Sequence, residues 1–119
     1  MSIYKDLRLK YKNHQLKVAL TKAKKVLDFS KIPYANKNVL IIDSIIPEFD
    51  KDSGSRRLFK IINILLSHGF GVFLIADKKE YKYNTDYVAH YRKLGVVVYE
   101  PSIDQTGAFV TKETFIEAI

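Results

Sequence analysis

The chain has 119 residues, 47% hydrophobic and 28% charged, with a formal net charge of +7. That is the composition of a folded domain with one hydrophobic core, and it excludes a collagenous, low-complexity or wholly disordered chain. The absence of cysteine excludes disulfides, thiolate catalysis and Cys-based metal sites, and no run approaches the ~20 apolar residues that span a bilayer.

The charge is unevenly placed. Residues 1–38 carry ten Lys/Arg against two acids, Asp6 and Asp28, a net +8; residues 39–119 carry ten against eleven, a net −1. A basic helical arm and linker (1–38) is therefore expected before a nearly neutral body (39–119). Such an arm suits solvent, an anionic membrane surface or an acidic partner. Nucleic acid is disfavoured as a partner, because a dedicated nucleic-acid domain carries basic residues on its folded body as well.

Residues 4–28 read as helix. Leu16, Leu20, Ala23 and Leu27 recur on one face, with Lys10, Lys17 and Lys24 beside them. The stripe is narrow, so this helix is expected to pack loosely or to lie on a surface. The basic N-terminus lacks the apolar run of a secretory signal. The expected location is the cytoplasm, with the helix offering a peripheral contact to the inner membrane face. Pro33 and Asn36-Lys37-Asn38 read as a linker. Residues 39–43, VLIID, have the continuous apolar pattern of a strand buried on both faces.

A polar loop with Pro47 and Gly54 follows. Leu58, Ile61, Ile62, Leu65 and Leu66 then give a helix with a wide apolar stripe, ended by Gly69. Residues 72–76, VFLIA, repeat the buried-strand pattern. Asn84 is a candidate cap for a helix with Tyr87, Val88, Tyr91 and Leu94 inward and Gly95 at its end. Residues 96–99 make a third strand. Thr111 caps a last helix through Phe115, Ile116 and Ile119, where the pattern breaks off as in a fragment of a longer protein. Strands separated by helices are expected to be parallel with right-handed crossovers. The expected fold is α/β, three-layer and Rossmann-like: a parallel sheet of about three strands flanked by helices, preceded by the basic helix.

In such sheets ligands bind outside the carboxyl ends of the strands, here at loops 43–55, 77–84 and 100–110. The first ends in Asp50-Lys51-Asp52-Ser53-Gly54-Ser55-Arg56-Arg57. Free amides and the helix dipole at Ser53, Gly54 and Ser55 favour an anion such as phosphate. Gly54 admits close approach to the backbone, and Arg56 and Arg57 can add charge-assisted bonds. The same residues also make an ordinary helix start, with Ser53 or Ser55 as N-cap and Asp50 and Asp52 favourable to the dipole. Neither the three-glycine dinucleotide fingerprint nor the phosphate-binding P-loop is present.

Asp43, Pro47, the DKDSGS stretch at 50–55, Gly69, Asp77, Tyr87 and Leu94-Gly95-Val96 stand in a frame covering residues 38 to about 101. That frame resembles the N-terminal half of bacterial group 1-like glycosyltransferases of the two-Rossmann-domain, GT-B, architecture. The resemblance implies that Asp52, Ser53, Gly54, Ser55 and Arg56 bind substrate at an interdomain cleft, with Asp50 supporting the loop. It implies a nucleotide-sugar donor held mainly by a second, C-terminal lobe with a Glu-x7-Glu element, and a glycan or lipid-linked acceptor. The implied reaction is displacement of a nucleoside diphosphate by an acceptor hydroxyl in polysaccharide synthesis, with no cofactor and no metal. This half alone is expected to be inactive, and the residues single out no catalytic base among Asp43, Asp77 and Glu100.

Two other classes stay open. One is a non-enzymatic flavodoxin-like binding or regulatory module, although Asp43-Ser44 and Tyr99-Glu100-Pro101 fit a receiver's acids poorly. The other is a nucleic-acid-associated protein acting through the arm. Lys78, Lys79 and Lys82 with Tyr81 and Tyr83 mix bases and aromatics as single-strand binders do; a solvated loop whose tyrosines cover the body is the plainer reading. His14, His68 and His90 have no metal-ligand spacing. His68 suits a helix C-terminus, and His90 is expected on an exposed helix side.

Overall fold

The computed structural model describes residues 3–22 and 25–119, and within the first helix the side chains of residues 12–21. In chain order the elements are α1 (Ile3–Lys22), a 3-10 turn (Phe29–Lys31), β1 (Asn38–Asp43), α2 (Ser53–Ser67), β2 (Gly71–Ala76) and α3 (Asp86–Leu94). Then follow β3 (Val97–Val98), β4 (Ser102–Ile103), β5 (Phe109–Val110) and α4 (Lys112–Glu117). β1, β2 and β3 form one parallel sheet in that order, with Asn38 opposite Gly71, Asp43 opposite Ala76, and Phe73 opposite Val97. This is the α/β, Rossmann-like arrangement that the alternation of runs predicts.

Two crossovers of one hand that step in one direction put both helices on one face of the sheet. The pleat of β2 then divides the core. Val72, Leu74 and Ala76 pack with Ile62 of α2 and Val88 and Tyr91 of α3. Phe73 and Ile75 turn to the other face and meet Tyr99, Val110 and Phe115, closed over by Leu27, Phe29, Ile32 and Ile119. Residues 72–76 are each no more than 2% exposed. Both helix ends follow from glycine: Gly69 (φ +80°) and Gly95 (φ +101°) take the left-handed conformation that a β-carbon disfavours. The amides of Gly69 and Phe70 then turn back to the Leu66 and Leu65 carbonyls, a Schellman closure.

Several expectations are corrected. The first helix ends at Lys22, not 28; Ala23, Lys24 and the side chain of Lys10 lie outside the described residues. Residues 25–27 are extended, because β4 offers them ladder partners. Leu27 N–H donates to the Ile103 carbonyl (2.8 Å), Ile103 N–H donates to that of Lys25 (3.0 Å), and Val26 bridges Ile103 in parallel. Of the narrow stripe Leu20 is buried and Leu16 exposed, while the Lys17 ammonium lies 5.2 Å from the centre of the Phe109 ring. The linker ends at residue 37: Asn38 opens β1 and its amide bonds Ala35 in both directions, each at 3.0 Å.

β1 is an edge strand rather than one buried on both faces, with Ile42 53% exposed. Ile61 and Leu94 point outward. Thr85, not Asn84, caps α3, its hydroxyl accepting from Val88 N–H. The third strand keeps two residues, and the expected loop at 100–110 contains the antiparallel hairpin β4–β5. The Asp104 carboxylate holds that hairpin's turn, accepting from Thr106 N–H (2.8 Å) and Ala108 N–H (3.0 Å).

Candidate functional site

The carboxyl ends of β1 and β2 bring the first two loops together. Asp77 N–H donates to the Asp43 carbonyl (2.7 Å), and Lys78 N–H donates to that of Ser44 (2.9 Å). Between Ser44 and Asp52 the chain is fastened by buried Ile46 and Pro47 and by the wedge of Phe49. The Phe49 ring stacks on Phe59 of α2 (4.4 Å between centres) and meets Tyr87 and Tyr91 of α3 edge-on. The Tyr91 hydroxyl donates to the Pro47 carbonyl at 3.0 Å, and burial raises its pKa above the ordinary phenol value. The Tyr87 hydroxyl donates to the Asp50 carboxylate. That bond first, and desolvation second, push the phenol up to about 12. Polar in composition, the loop is thus tied at three apolar points and one charged one, and it delivers Asp50 and Asp52 to the start of α2.

Asp52 is the N-cap of α2; Ser53 is its first residue, and neither Ser53 nor Ser55 takes the expected capping role. One Asp52 carboxylate oxygen accepts from Ser55 N–H (2.7 Å), and the other accepts from the Ser55 hydroxyl (3.0 Å). These bonds, with a smaller contribution from the Gly54 amide, hold Asp52 below the usual carboxylate range. The helix start therefore carries a built-in anion that an incoming phosphate has to displace or share. Ser53, Gly54, Arg56 and Arg57 are exposed, and among the described residues neither guanidinium forms an ion pair. A β-carbon on Gly54 meets only an Asp52 oxygen, at an ordinary 3.5 Å. Among the described residues no group crowds that position so as to require the glycine.

Of the five expected binding residues, Asp52 and Ser55 are thus engaged with each other, while Ser53, Gly54 and Arg56 face solvent around them. An ionised carboxylate with spare lone pairs, beside a free serine hydroxyl and a bare stretch of backbone, is suited to accept hydroxyl groups of a polyol. The acids at the strand ends have partners. Asp43 accepts from Ser44 N–H (2.7 Å), Asp77 meets Lys112 (3.4 Å), and Glu100 is held by Lys25 (3.4 Å) and Arg92 (3.2 Å).

In the second loop, Tyr81 and Tyr83 meet each other edge to face and pack against the core, and the Tyr83 hydroxyl donates to the Ala76 carbonyl (3.2 Å). Desolvation, then the neighbouring Tyr99, raises Tyr83 to about 12. The rings cover the core and are not free to stack bases; Lys78, Lys79 and Lys82 are exposed. His68 Nδ1 lies 2.8 Å from the Ile64 carbonyl at the end of α2, and exposed His90 rests against Phe49. Among the described residues no three His, Asp or Glu side chains converge to hold a metal ion, and no helix is long and apolar enough to cross a membrane.

A concavity of about 510 Å³ lies elsewhere, along β3 between Lys25, Arg92 and Ser102. The sequence singles out neither Phe49 nor the bonds by which the inward-facing Tyr87 and Tyr91 hold the loop at Asp50 and Pro47. One signal was available, the aromatic Phe49 set among the charged residues Glu48, Asp50, Lys51 and Asp52. Compared with known proteins, the chain matches no family model, no curated protein and no solved structure.

Proposed function

We propose that this chain is the acceptor-side half of a glycosyltransferase that moves a sugar from a nucleotide-sugar donor to an acceptor hydroxyl in the synthesis of a cell-surface glycan. The observation that carries this reading is the position of residues 50–55. The stretch on which the glycosyltransferase resemblance rests lies at the carboxyl rim of a parallel sheet, where α/β folds bind ligands. There Asp52 is kept ionised and oriented by Ser55, and it is suited to accept hydroxyls of a sugar. Gly54 leaves room for a ring against the backbone, and Arg56 supplies an unpaired cation for a diphosphate brought by a donor-binding lobe. No general base is assigned. Donor affinity belongs to that second lobe, and the basic α1 offers a contact for the membrane carrying a lipid-linked acceptor.

Amide NMR of the chain, titrated separately with a uridine-diphosphate hexose and with an oligosaccharide acceptor, tests the proposal. The expected result is weak, saturable shifts confined to residues 50–56, larger with the acceptor, and no turnover. Rim amides that ignore both ligands, or measurable transfer by these 119 residues alone, count against it. One observation favours a non-enzymatic binding module instead: Asp52 caps its own helix with both oxygens. A rim that answers to no sugar ligand selects that reading.

A further inference from the structure

Among the described residues, β1 has a partner on one side only. In a parallel ladder alternate residues turn both backbone groups toward the same neighbour. The Lys37 and Asp43 carbonyls accept from Gly71 and Asp77, so the odd-numbered residues of β1 face β2. The N–H and C=O groups of Asn38, Leu40 and Ile42 face away from the sheet. This edge has none of the usual protections of an exposed strand: no proline, no bulge and no lysine within VLII.

A second observation falls at the same rim. On α2, Phe59 turns toward α3, its ring centre 5.8 Å from that of His90 and 5.9 Å from that of Tyr91. At 100° per residue, Ile61 and Ile64 lie on the opposite flank. Since the strand order puts α3 on the β3 side, that flank overlooks the free edge of β1. Ile61 is 45% and Ile64 57% exposed, and Ile42 is 53% exposed on the other face of the sheet. An open backbone edge therefore has exposed isoleucines above and below it.

We propose that this rim is a self-association surface, on which a second copy of the chain pairs its β1 antiparallel about a two-fold axis, giving one continuous sheet of twice the width. A two-fold perpendicular to the sheet keeps each copy's α2 on the same face, so the register must pair residues of equal parity. The register centred on Leu40 uses every outward-facing residue. Leu40 meets its own copy and Asn38 meets Ile42, giving about six backbone hydrogen bonds. The same register sets Lys37 of each copy opposite Asp43 of the other, two complementary charge pairs at the ends of the ladder. The register centred on Ile41 places Asp43 opposite Val39 and loses both pairs. Charge thus selects a second copy, in one register, as the occupant of the edge.

Sedimentation velocity of the full chain at micromolar concentration is expected to give a dimer. Ile42→Lys, and separately the pair Ile61→Glu with Ile64→Glu, change exposed positions only. With circular dichroism unchanged, each is expected to weaken the dimer about tenfold or more. Lys37→Glu and Asp43→Lys each weaken it, and the two together restore it. A chain that sediments as a monomer throughout, a dimer indifferent to the isoleucine changes, or single charge reversals that the double variant fails to rescue overturns the proposal.

Discussion

The two faces of the sheet are covered in different ways. Over one lie α2 and α3, each contiguous in sequence and each joining the strands it covers; Ile62, Val88 and Tyr91 pack on Val72, Leu74 and Ala76. Over the other lie pieces from both ends of the chain: residues 27–32, the β4–β5 hairpin and α4. They are held together by contacts distant in sequence. Val26 bridges Ile103, the Gln105 amide donates to Asp28 (2.8 Å), and the Tyr99 hydroxyl donates to the Val110 carbonyl (3.0 Å). The first face is assembled by local crossovers. The second needs two closures of the chain, and its apolar groups are spread over short elements. The difference teaches where the molecule opens first: cooperative units follow contiguous packing, and a patchwork layer detaches before the layer that carries the strands.

The largest effects should come from the largest buried rings. Tyr91→Ala, at a fully buried position, is expected to cost about 4 kcal/mol. Urea unfolding should show it as one cooperative loss that also frees the 44–52 loop, because Pro47 and Phe49 lose their anchor. Phe115→Ala, equally buried, is expected to cost about 3 kcal/mol but to act locally. Hydrogen exchange should rise in α4 and β4–β5 while α3 and β2 stay protected. Equal loss of protection in α3 would show the two faces to be a single unit.

Acid should separate the faces next. Asp28, bonded first by the Ser30 hydroxyl, and Asp104, bonded first by the Thr106 hydroxyl, are both held below the ordinary carboxylate value. A carboxyl whose pKa is lower folded than unfolded contributes its full stabilisation above the unfolded value. That contribution fades as pH falls through the folded one. Both groups fasten the second face: Asp28 ties the segment 27–32 to Gln105, and Asp104 ties the hairpin turn. As pH drops below the usual carboxylate range, exchange should quicken at residues 28–31 and 104–110 before it does in β2 or α3; on the first face only the exposed start of α2, where Asp52 is the cap, should respond with them. A uniform response along the chain would remove the distinction.

The same contrast decides what the sequence reveals. The runs at 39–43 and 72–76, the stripe from Leu58 to Leu66 and the stops at Gly69 and Gly95 are signals within a few residues of the structure they specify, so the parallel sheet and its crossovers were legible. The hairpin was not. Ser102-Ile103 and Phe109-Val110 are too short to show a period, and Leu27 carries a helical spacing that β4 overrides with a backbone bond. At the rim, the place of Ser53, Gly54 and Ser55 at a helix start was legible, but the capping residue was not. Asp52 and two serines all suit an N-cap, and only the chain's path after Phe49 aims the Asp52 carboxylate at Ser55.

The smallest expected effect is the most discriminating for the rim. Gly54 is the second residue of α2, with no left-handed backbone angle, and a β-carbon there would meet only an Asp52 oxygen at an ordinary 3.5 Å. Glycine inside a helix is entropically unfavourable relative to alanine, so Gly54→Ala should stabilise the fold, by about 0.5 kcal/mol at this position in the first turn. Nothing among the described residues accounts for the glycine. If a sugar ring lies against that backbone, the added methyl group stands between them. The variant should then melt slightly higher than the parent while losing most of the acceptor-induced amide shifts at residues 50–56. A variant that is more stable and responds as the parent does separates Gly54 from ligand binding. A variant that is less stable shows the space above Gly54 to be filled by the protein itself.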